Sequence, residues 1–246
     1  MTVLFARARY RADNYVYLVA DGADAALIDP GDPSVALALA VAHGVTPRWI
    51  IHTHGHADHT GGTAALRTRL GAEVLGHAAD GGWFTPDRDL AGQQALSLGR
   101  LRLRVHEAPG HTPGSVLLEV EGRLLTGDTL FWGGCGNCRN GGDPRRLAES
   151  LLRVVGRLDG ALEVHPGHDY ALANLPFALE REPSNPAVGA RLAQVRAAKR
   201  TGAEPPASTL AGERASNPFL RTGTVEALVA LRAERDEWTP ASTVPE

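Results

Sequence analysis

Short apolar runs separated by glycine- and proline-containing turns fill residues 3–170, a pattern typical of a mixed α/β protein. Several runs alternate apolar and polar residues or are rich in valine, leucine and isoleucine, as half-buried or buried strands are. We predict strands within 3–19 (two strands that turn near Asp13-Asn14), 25–28, 48–52, 72–76, 101–105, 116–120 and 123–125, with a loop over 78–95.

Helices are predicted mainly where a capping residue is followed by proline, because the cap side chain accepts backbone hydrogen bonds and proline suits the first helical position. The predicted helices run from Asp32-Pro33 to Gly44, from Asp143-Pro144 to about Arg157, onward from Asn185-Pro186, and over 225–235. The pattern after Tyr170 predicts helices alone. We therefore expect two domains, a mixed α/β domain over 1–170 and a helical domain over 171–246.

Composition narrows the class of protein. Of 246 residues, 43% are hydrophobic and 22% are charged, and the net charge of -3 gives no basic field for nucleic acid or an anionic membrane. No apolar run approaches a membrane span, and the N-terminus lacks the apolar core of a signal peptide, so we expect a cytoplasmic protein. Two cysteines cannot form a disulfide framework.

A strand-to-helix turn carries an unusual cluster of polar side chains. The stretch Thr53-His54-Gly55-His56-Ala57-Asp58-His59 places three imidazoles and a carboxylate within six residues, directly after a predicted buried strand. Imidazole and carboxylate are ligands that first-row divalent metals such as zinc prefer. Their crowding indicates a bound cation.

Three later turns each follow a strand or hairpin end and each carry one further side chain of a ligand type. These are His111 in Pro109–Gly114, Asp128 in Thr126–Thr129, and His168 in Pro166–Asp169. Taken singly, each could be an ordinary turn residue. Together, and in this order, they indicate ligands that several strand ends deliver to one rim of a sheet.

This ordered set resembles the metallo-β-lactamase superfamily pattern of His-x-His-x-Asp-His followed by His, Asp and His. The resemblance implies a four-layer αβ/βα sandwich with two divalent metal ions at one edge, zinc being expected and iron or manganese being alternatives. It implies one metal position held by His54, His56 and His111, a second held by Asp58, His59 and His168, and Asp128 bridging both. Asp29 matches a carboxylate that supports the ligands from behind.

Within the superfamily the chain resembles glyoxalase II, the hydroxyacylglutathione hydrolases. The resemblance lies in Gly127–Phe131 with Gly134-Cys135-Gly136, in Gly167–Tyr170, and in the C-terminal segments Pro206–Leu210 and Asn217–Arg221. It implies a helical thiol-binding domain after residue 170. It also implies hydrolysis of S-(2-hydroxyacyl)glutathione, typically S-D-lactoylglutathione, in the detoxification of methylglyoxal.

The chemistry suits such a thioester. Two metal ions roughly 3.5–4 Å apart lower the pKa of a shared water toward about 7, which gives a hydroxide nucleophile. The thiolate leaving group has a pKa near 8.5, so its departure needs no separate acid. The predicted catalytic residues are His54, His56, Asp58 and Asp128, with Asp58 orienting the hydroxide.

The predicted substrate-binding residues match the family in part. Tyr170 matches the tyrosine after the last histidine, and Arg232 and Arg235 match two basic residues of the final helix. The loop after Asp128 departs, because Asn137 stands where lysine is usual and Arg139 where tyrosine is usual. Arg139 either restores the lost positive charge or marks a site for a different thiol carrier.

Other interpretations remain open at the level of sequence. Related persulfide dioxygenases use the same scaffold with one Fe(II), but the extended C-terminus argues against this activity. A nucleic-acid hydrolase is disfavoured by the acidic balance, and a catalytically silent member by the intact ligand set. Cys135 and Cys138 form a CxxC pair that we interpret as an ordinary loop pair. The oligomeric state stays open between a monomer and a weak homodimer.

Overall fold

The computed structural model describes residues 3–239 and places two six-stranded sheets face to face. The first sheet contains β1 (Leu4–Tyr10), β2 (Asn14–Asp21), β3 (Asp24–Ile28), β4 (Trp49–Ile51), β5 (Glu73–Gly76) and β6 (Arg88–Asp89), in that spatial order. Strands β1 to β3 are antiparallel, and β3 to β6 are parallel. The helices between them are α1 (Pro33–Ala42), α2 (Ala57–Thr60) and α3 (Thr63–Leu70).

Residues 95–209 build the second six-stranded sheet and a separate small hairpin. The strands are β7 (Ala95–Leu98), β8 (Leu101–Glu107), β9 (Val116–Val120), β10 (Arg123–Gly127), the separate small hairpin β11 (Leu130–Phe131) and β12 (Gly134–Cys135), then β13 (Glu163–Pro166) and β14 (Ser208–Thr209). The spatial order of the large sheet is β14-β13-β10-β9-β8-β7, and β10 pairs with β13 in parallel. Parallel β10 and β13 therefore end at the same edge of this sheet.

Five α-helices lie between residues 144 and 237. They are α4 (Pro144–Glu149), α5 (Ala171–Arg181), α6 (Pro186–Arg200), α7 (Leu210–Ser216) and α8 (Val225–Glu237). Asp143 caps α4 by accepting from the backbone N–H groups of Arg145 and Arg146. The helix predicted to reach Arg157 does so with a change of geometry, because a π-helical turn and a 3-10 turn follow α4.

Alternation along β2 explains the layers. Tyr15, Tyr17 and Val19 face the core between the two sheets, while Val16 and Leu18 face the core beneath α1 and α3. Successive strand side chains point to opposite faces, so a strand buried on both sides must be covered by a layer on each. The predicted four-layer αβ/βα fold is thereby confirmed.

Two predictions of local structure were wrong, and one helix was not predicted individually. The loop predicted over 78–95 contains β6 and the first residue of β7. The region after Tyr170 is not all helical, because β14 pairs with β13; Pro205-Pro206 before it cannot continue a helix and leaves the backbone extended. Helix α5 was missed because Tyr170 gives it no side-chain cap and Pro176 lies inside it.

The outer limits of the two predicted domains, residues 1 and 246, lie outside the described residues, and the boundary near 171 stays a prediction. None of the helices within residues 3–239 has the length and apolar character needed to span a bilayer.

Trp132 joins the two halves of the chain and generates a prediction about stability. It is fully buried, its Nε1–H donates to the carbonyl of Val164 at 3.0 Å, and its ring meets that of Tyr15 edge-on. We expect Trp132→Ala to lower the free energy of unfolding by about 3–5 kcal/mol, the usual cost of removing a buried large aromatic side chain. Urea unfolding of the metal-loaded protein measures this.

The matched control is Trp83→Ala, because the Trp83 residue is 41% exposed and truncation removes less buried surface. A loss of stability for Trp132→Ala no larger than that for Trp83→Ala would contradict the role given to Trp132.

Candidate metal centre

The predicted ligands come together at one edge of the sandwich. His54 and His56 lie in the turn after β4, Asp58 and His59 lie within α2, and the other three predicted ligands follow other strands. Three groups of side chains have potential ligand atoms within 4.8 Å of one another: His54, His56 and His111; Asp58, His59 and His168; and Asp29, His54 and His59.

We call the first group triad one. Nδ1 of His56 lies 3.0 Å from Nε2 of His111, and the three imidazole rings pack with centroids 4.6–4.9 Å apart. Nε2 of His54 is buried and has no hydrogen-bond partner within residues 3–239. His111 is held by the backbone, since its Nδ1 lies 2.6 Å from the carbonyl oxygen of Asn137.

We call the second group triad two. Nε2 of His59 lies 3.0 Å from Nε2 of His168, and Nε2 of His168 lies 3.2 Å from Oδ2 of Asp58. His59 is fully buried and His168 nearly so, whereas the Asp58 side chain is 30% exposed. Solvent therefore reaches triad two at Asp58.

Asp128 lies between the two triads. Its carboxylate oxygens are 3.4 Å from Nε2 of His59, 3.3 Å from Nε2 of His168 and 3.7 Å from Nε2 of His111. Strand β10 delivers it, and the adjoining parallel strand β13 delivers His168 at the same edge. One carboxylate is thus within reach of both triads, as the predicted bridging role requires.

The donor set fits divalent metal ions. Nitrogen and oxygen ligands about 2.0–2.2 Å from a tetrahedral metal lie roughly 3.3 Å from one another. The separations here, 3.0–3.7 Å, bracket that value. Nε2 of His54 and Oδ1 of Asp128 are buried and have no hydrogen-bond partner within residues 3–239, so this crowded set of ligand atoms calls for a cation.

Asp29 faces the back of the ligands, which explains why it forms the third group. Its Oδ2 lies 3.3 Å from Nδ1 of His59, and its carboxylate accepts from the backbone N–H and the hydroxyl of Thr53. The Thr53 hydroxyl in turn lies 3.1 Å from Nδ1 of His54. Asp29 therefore contacts Nδ1 of His59 directly and Nδ1 of His54 through Thr53, the arrangement expected for a carboxylate that orients imidazole ligands.

Close backbone approach at Gly31 fixes Asp29 against the ligand turn. A Cβ atom at this position would lie 1.7 Å from the carbonyl oxygen of Asp58 and 2.6 Å from the hydroxyl of Tyr10. That hydroxyl donates to the Asp58 carbonyl at 2.7 Å. A side chain at Gly31 would push the Asp58 turn away from β3.

Two residues of the site were missed by the sequence analysis, which used Asp13 and Asn14 only as a turn. Oδ1 of Asp13 lies 2.8 Å from Nδ1 of His168, and the amide of Asn14 donates to Oδ2 of Asp58 at 3.0 Å. A backbone contact explains their position, because the N–H of Tyr15 donates to the carbonyl of Gly167. The sequence signal for both is weak, since Asp-Asn is also common in ordinary turns.

Asp80 was also missed. It is fully buried in the loop after β5 and accepts hydrogen bonds from the two turns that carry the histidines of triad one. Nothing in its local sequence distinguishes it from the other aspartates of this loop, because its partners come from distant parts of the chain.

The two triads differ in their charge. Burial and neighbouring imidazoles lower the pKa of His54 well below its ordinary value, and burial lowers that of His111. In triad two burial acts to lower the pKa of His168, but the carboxylates of Asp128, Asp58 and Asp13 outweigh it and raise the pKa to about 11. His54 and His111 are therefore neutral at pH 7, whereas His168 in the metal-free protein is protonated.

All five predicted substrate-binding residues line one pocket beside the triads. The pocket has a volume of about 300 Å³ and is lined by Phe131, Cys135, Asn137, Arg139, Tyr170, Ala173, Asn174, Arg232, Arg235 and Asp236. Tyr170 connects it to the ligands, because its ring stacks on that of His168 at 4.7 Å with an interplanar angle of 12°.

The guanidinium groups of the pocket are held by the surrounding chain. Arg232 donates to the carbonyl of Cys135 at 3.0 Å and to Oδ1 of Asp236 at 2.7 Å. Arg235 donates to the carbonyl of Ala173 at 3.0 Å. Arg139, whose side chain is 62% exposed, donates to the backbone carbonyl of Asp236.

The CxxC pair is poorly suited to thiol chemistry. Burial raises the pKa of Cys135 to about 11 and that of Cys138 to about 12, so both thiols are protonated at neutral pH. Both cysteines are free. The backbone carbonyl of Cys135 instead accepts a hydrogen bond from the Arg232 guanidinium.

Comparisons with known proteins cover both halves of the chain. A family model described as the metallo-β-lactamase superfamily matches residues 10–168, and one described as the hydroxyacylglutathione hydrolase C-terminus matches residues 169–242. The hydroxyacylglutathione hydrolase of Anaeromyxobacter dehalogenans is 63% identical over 95% of this chain and 99% of its own length. That of Acidiphilium cryptum is 38% identical over 92% of this chain and 93% of its own length.

Solved structures show the same fold. The ETHE1 protein of Myxococcus xanthus superposes with a TM-score of 0.74 at 25% identity, covering 96% of this chain and 93% of that one. The protein TTHA1623, solved in a di-iron-bound form, superposes with a TM-score of 0.65 at 28% identity, covering 88% of this chain and 100% of that one.

The unequal charge of the triads predicts unequal proton release. A metal ion must displace the proton of His168 in triad two, while His54 and His111 of triad one are already neutral. We expect zinc binding to triad two at pH 7 to release at least one proton, and its affinity to rise by at least about tenfold per pH unit near pH 7. Calorimetric titration of metal-free protein in buffers of different ionisation enthalpy measures this.

Zinc binding to triad one is the internal control, since this step should release fewer protons in the same titration. Equal proton release in the two binding steps would contradict the assignment of charge.

Proposed function

The chain belongs to the hydroxyacylglutathione hydrolase family of the metallo-β-lactamase superfamily, and we propose that it hydrolyses S-(2-hydroxyacyl)glutathione to a 2-hydroxy acid and glutathione. S-D-lactoylglutathione is the expected substrate, which places the reaction in methylglyoxal detoxification. The observation that carries the proposal is the basic pocket that opens directly beside the seven predicted ligands, with half of its lining residues from the C-terminal region. The match of residues 169–242 to the family model of the hydroxyacylglutathione hydrolase C-terminus favours hydrolysis over the Fe(II)-dependent oxygenase alternative.

We propose that the ligands act as the sequence predicts. Triad one holds one divalent ion, triad two holds the other, Asp128 bridges them, and Asp29 orients His54 and His59 from behind. When bound, the ions supply a nucleophilic water at neutral pH and polarise the thioester carbonyl. Zinc is the proposed metal, because imidazole with a minority of carboxylate suits it.

Residues around triad two complete the chemistry. The partly exposed carboxylate of Asp58 is anchored at Oδ2 by Asn14, which leaves the other oxygen to accept a hydrogen bond from the attacking water. The thiolate leaving group has a pKa near 8.5 and departs without an acid. Burial and the nearby carboxylates raise the pKa of Tyr170, so its hydroxyl stays protonated and can donate to the thiol carrier.

The pocket offers the charge that glutathione requires. Glutathione carries two carboxylates, and guanidinium binds carboxylate through paired hydrogen bonds. Three arginines and one aspartate line the pocket, so its side chains retain a net positive charge. We propose that Arg139, the most exposed of the three, replaces the lysine that the family usually has at the position of Asn137.

We also propose a division of labour between the predicted domains. Residues 1–170 supply the seven ligands, and residues 171–246 supply Arg232, Arg235 and Asp236 of the pocket. Buried contacts link the two parts. Glu213 accepts from the backbone N–H of Gly133 at 2.9 Å, and the amide of Asn217 donates to the carbonyl of Gly134 at 2.9 Å.

The direct test is kcat/KM of metal-loaded protein on S-D-lactoylglutathione, with the metal content measured on the same sample. We expect a value above about 10⁴ M⁻¹s⁻¹, within the ordinary range of enzymes. His56→Ala should lose metal from triad one and abolish hydrolysis. A background rate with two metals bound would move the substrate to another thiol carrier, and a background rate with one iron and oxygen consumption would favour the oxygenase.

Arg139→Ala tests the carrier pocket. We expect KM for S-D-lactoylglutathione to rise about tenfold with kcat nearly unchanged, because Arg139 contacts the carrier and not the reacting carbonyl. Steady-state kinetics at saturating metal measure both constants.

Arg145→Ala is the matched control, since the Arg145 side chain is also 62% exposed but pairs with Glu226 away from the pocket. An Arg139→Ala enzyme with the KM of the Arg145→Ala enzyme would show that Arg139 does not bind the carrier.

A further inference from the structure

Asp80 is a fully buried carboxylate with three strong hydrogen bonds. Its Oδ2 accepts from the backbone N–H of Gly55 at 2.8 Å and from the hydroxyl of Thr112 at 2.7 Å, and its Oδ1 accepts from the backbone N–H of Gly114 at 2.7 Å. All three donors are neutral groups. Burying a carboxylate is costly unless its oxygens are satisfied, and these three short bonds satisfy both.

The donors belong to two turns that are far apart in sequence and that carry all of triad one. Gly55 lies between His54 and His56, and Thr112 directly follows His111. One carboxylate therefore joins the backbone of the first turn to the backbone of the second. The distance between these turns determines whether the three imidazole nitrogens can meet at one metal ion.

The turn after His111 is built around this carboxylate. A Cβ atom at Gly114 would lie 2.8 Å from Cγ of Asp80, so glycine there allows the backbone N–H to reach Oδ1. Thr112 is also held by Ser115, whose hydroxyl lies 2.8 Å from that of Thr112 and accepts from its backbone N–H at 3.0 Å.

Triad two is supported by other residues. His168 meets Asp13, Asp58 accepts from Asn14, and His59 meets Asp29. Asp29 also reaches triad one through Thr53 and His54, so it is shared between the triads. Each of the hydrogen bonds to the Asp80 side chain given above, in contrast, leads to a turn of triad one.

We propose that Asp80 is a positioning residue that sets the metal affinity of triad one independently of triad two. It contacts neither substrate nor the proposed metal and acts through the backbone of the two turns. The inference rests on the dimetal centre proposed above. It adds that the two sites are tuned by separate parts of the chain, one of them a loop that carries no ligand.

The test is Asp80→Asn in otherwise unmodified, full-length protein. Asparagine places an amide NH₂ where one carboxylate oxygen now accepts, so it opposes either the N–H of Gly114 or the two donors at Oδ2. Metal-free protein is titrated with cobalt(II), and visible absorption follows the two binding steps. The step lost in His56→Ala identifies triad one.

We expect Asp80→Asn to weaken cobalt binding to triad one about 10–100-fold, the usual cost of losing a group that supports metal ligands from behind, and to leave triad two within about twofold. The matched control is Asp87→Asn. Asp87 lies in the same loop but accepts from the N–H of Val74 and from Arg67, away from both triads.

A merely structural role gives a different result. In that case Asp80→Asn would lower the melting temperature of the metal-free protein while weakening both cobalt steps equally or neither, and the proposal would be overturned. If Asp80→Asn does not fold, Thr112→Val replaces it, because it removes a single donor to Oδ2 and keeps the backbone bonds. This variant should weaken triad one alone, by less than the aspartate change.

The cobalt titration tests the role of Asp80, and its result does not depend on whether the protein hydrolyses S-D-lactoylglutathione. Cobalt affinity is measured without substrate, so selective weakening of triad one would stand even if the wild-type protein failed to hydrolyse S-D-lactoylglutathione. Equal weakening of both steps would overturn the role of Asp80 even in a fully active hydrolase.

Discussion

Mutual repulsion among buried ligand atoms is the constraint on which the rest of the structure depends. Imidazole nitrogens and carboxylate oxygens approach to 3.0–3.7 Å at one rim of the sandwich, where Nε2 of His54 and Oδ1 of Asp128 have no hydrogen-bond partner within residues 3–239. In a buried site such atoms are costly unless a cation lies among them. In the metal-free state, the protein offsets part of this cost by protonating His168 between its carboxylates. Asp29 and Asp13 contact the ligands His59 and His168 from behind, and Asp80 holds the turns of triad one.

The pocket for the thiol carrier depends on the same rim. Tyr170 stacks on His168, so the ring that borders the pocket is placed by a proposed ligand. Next to it, the buried carboxylate of Asp169 pairs with Arg9 of β1 and with Lys199 of α6, which ties the end of β13 to the first strand and to a helix of the C-terminal region. The basic partners are 29% and 26% exposed, so these pairs are weak evidence for added stability, but they connect three elements at the turn. The position of the pocket relative to the ligands is thus set by neighbouring residues of one short turn.

Sequence revealed most of what depends on local pattern. Most of the longer strands and the proline-started helices follow from apolar runs and from Asp-Pro or Asn-Pro starts, whereas β7 and the two-residue strands were not predicted. The seven predicted ligands stand out because they follow strand ends. What it could not reveal depends on tertiary contact. Asp13 and Asp80 look like turn residues until the fold brings His168 and Thr112 to them. The exposed Arg139 could be placed in the pocket only by its matching position in the family, and its contact with Asp236 joins residues 97 positions apart.

The central claim is that this rim holds two metal ions side by side, one at each triad, with Asp128 between them. Anomalous diffraction from crystals of the zinc-loaded protein, recorded on both sides of the zinc absorption edge, tests it most directly. The account predicts two peaks roughly 3.5–4 Å apart. One lies among the nitrogens of His54, His56 and His111, and the other lies among Asp58, His59 and His168. A single peak, or a peak coordinated by Asp29, would contradict it.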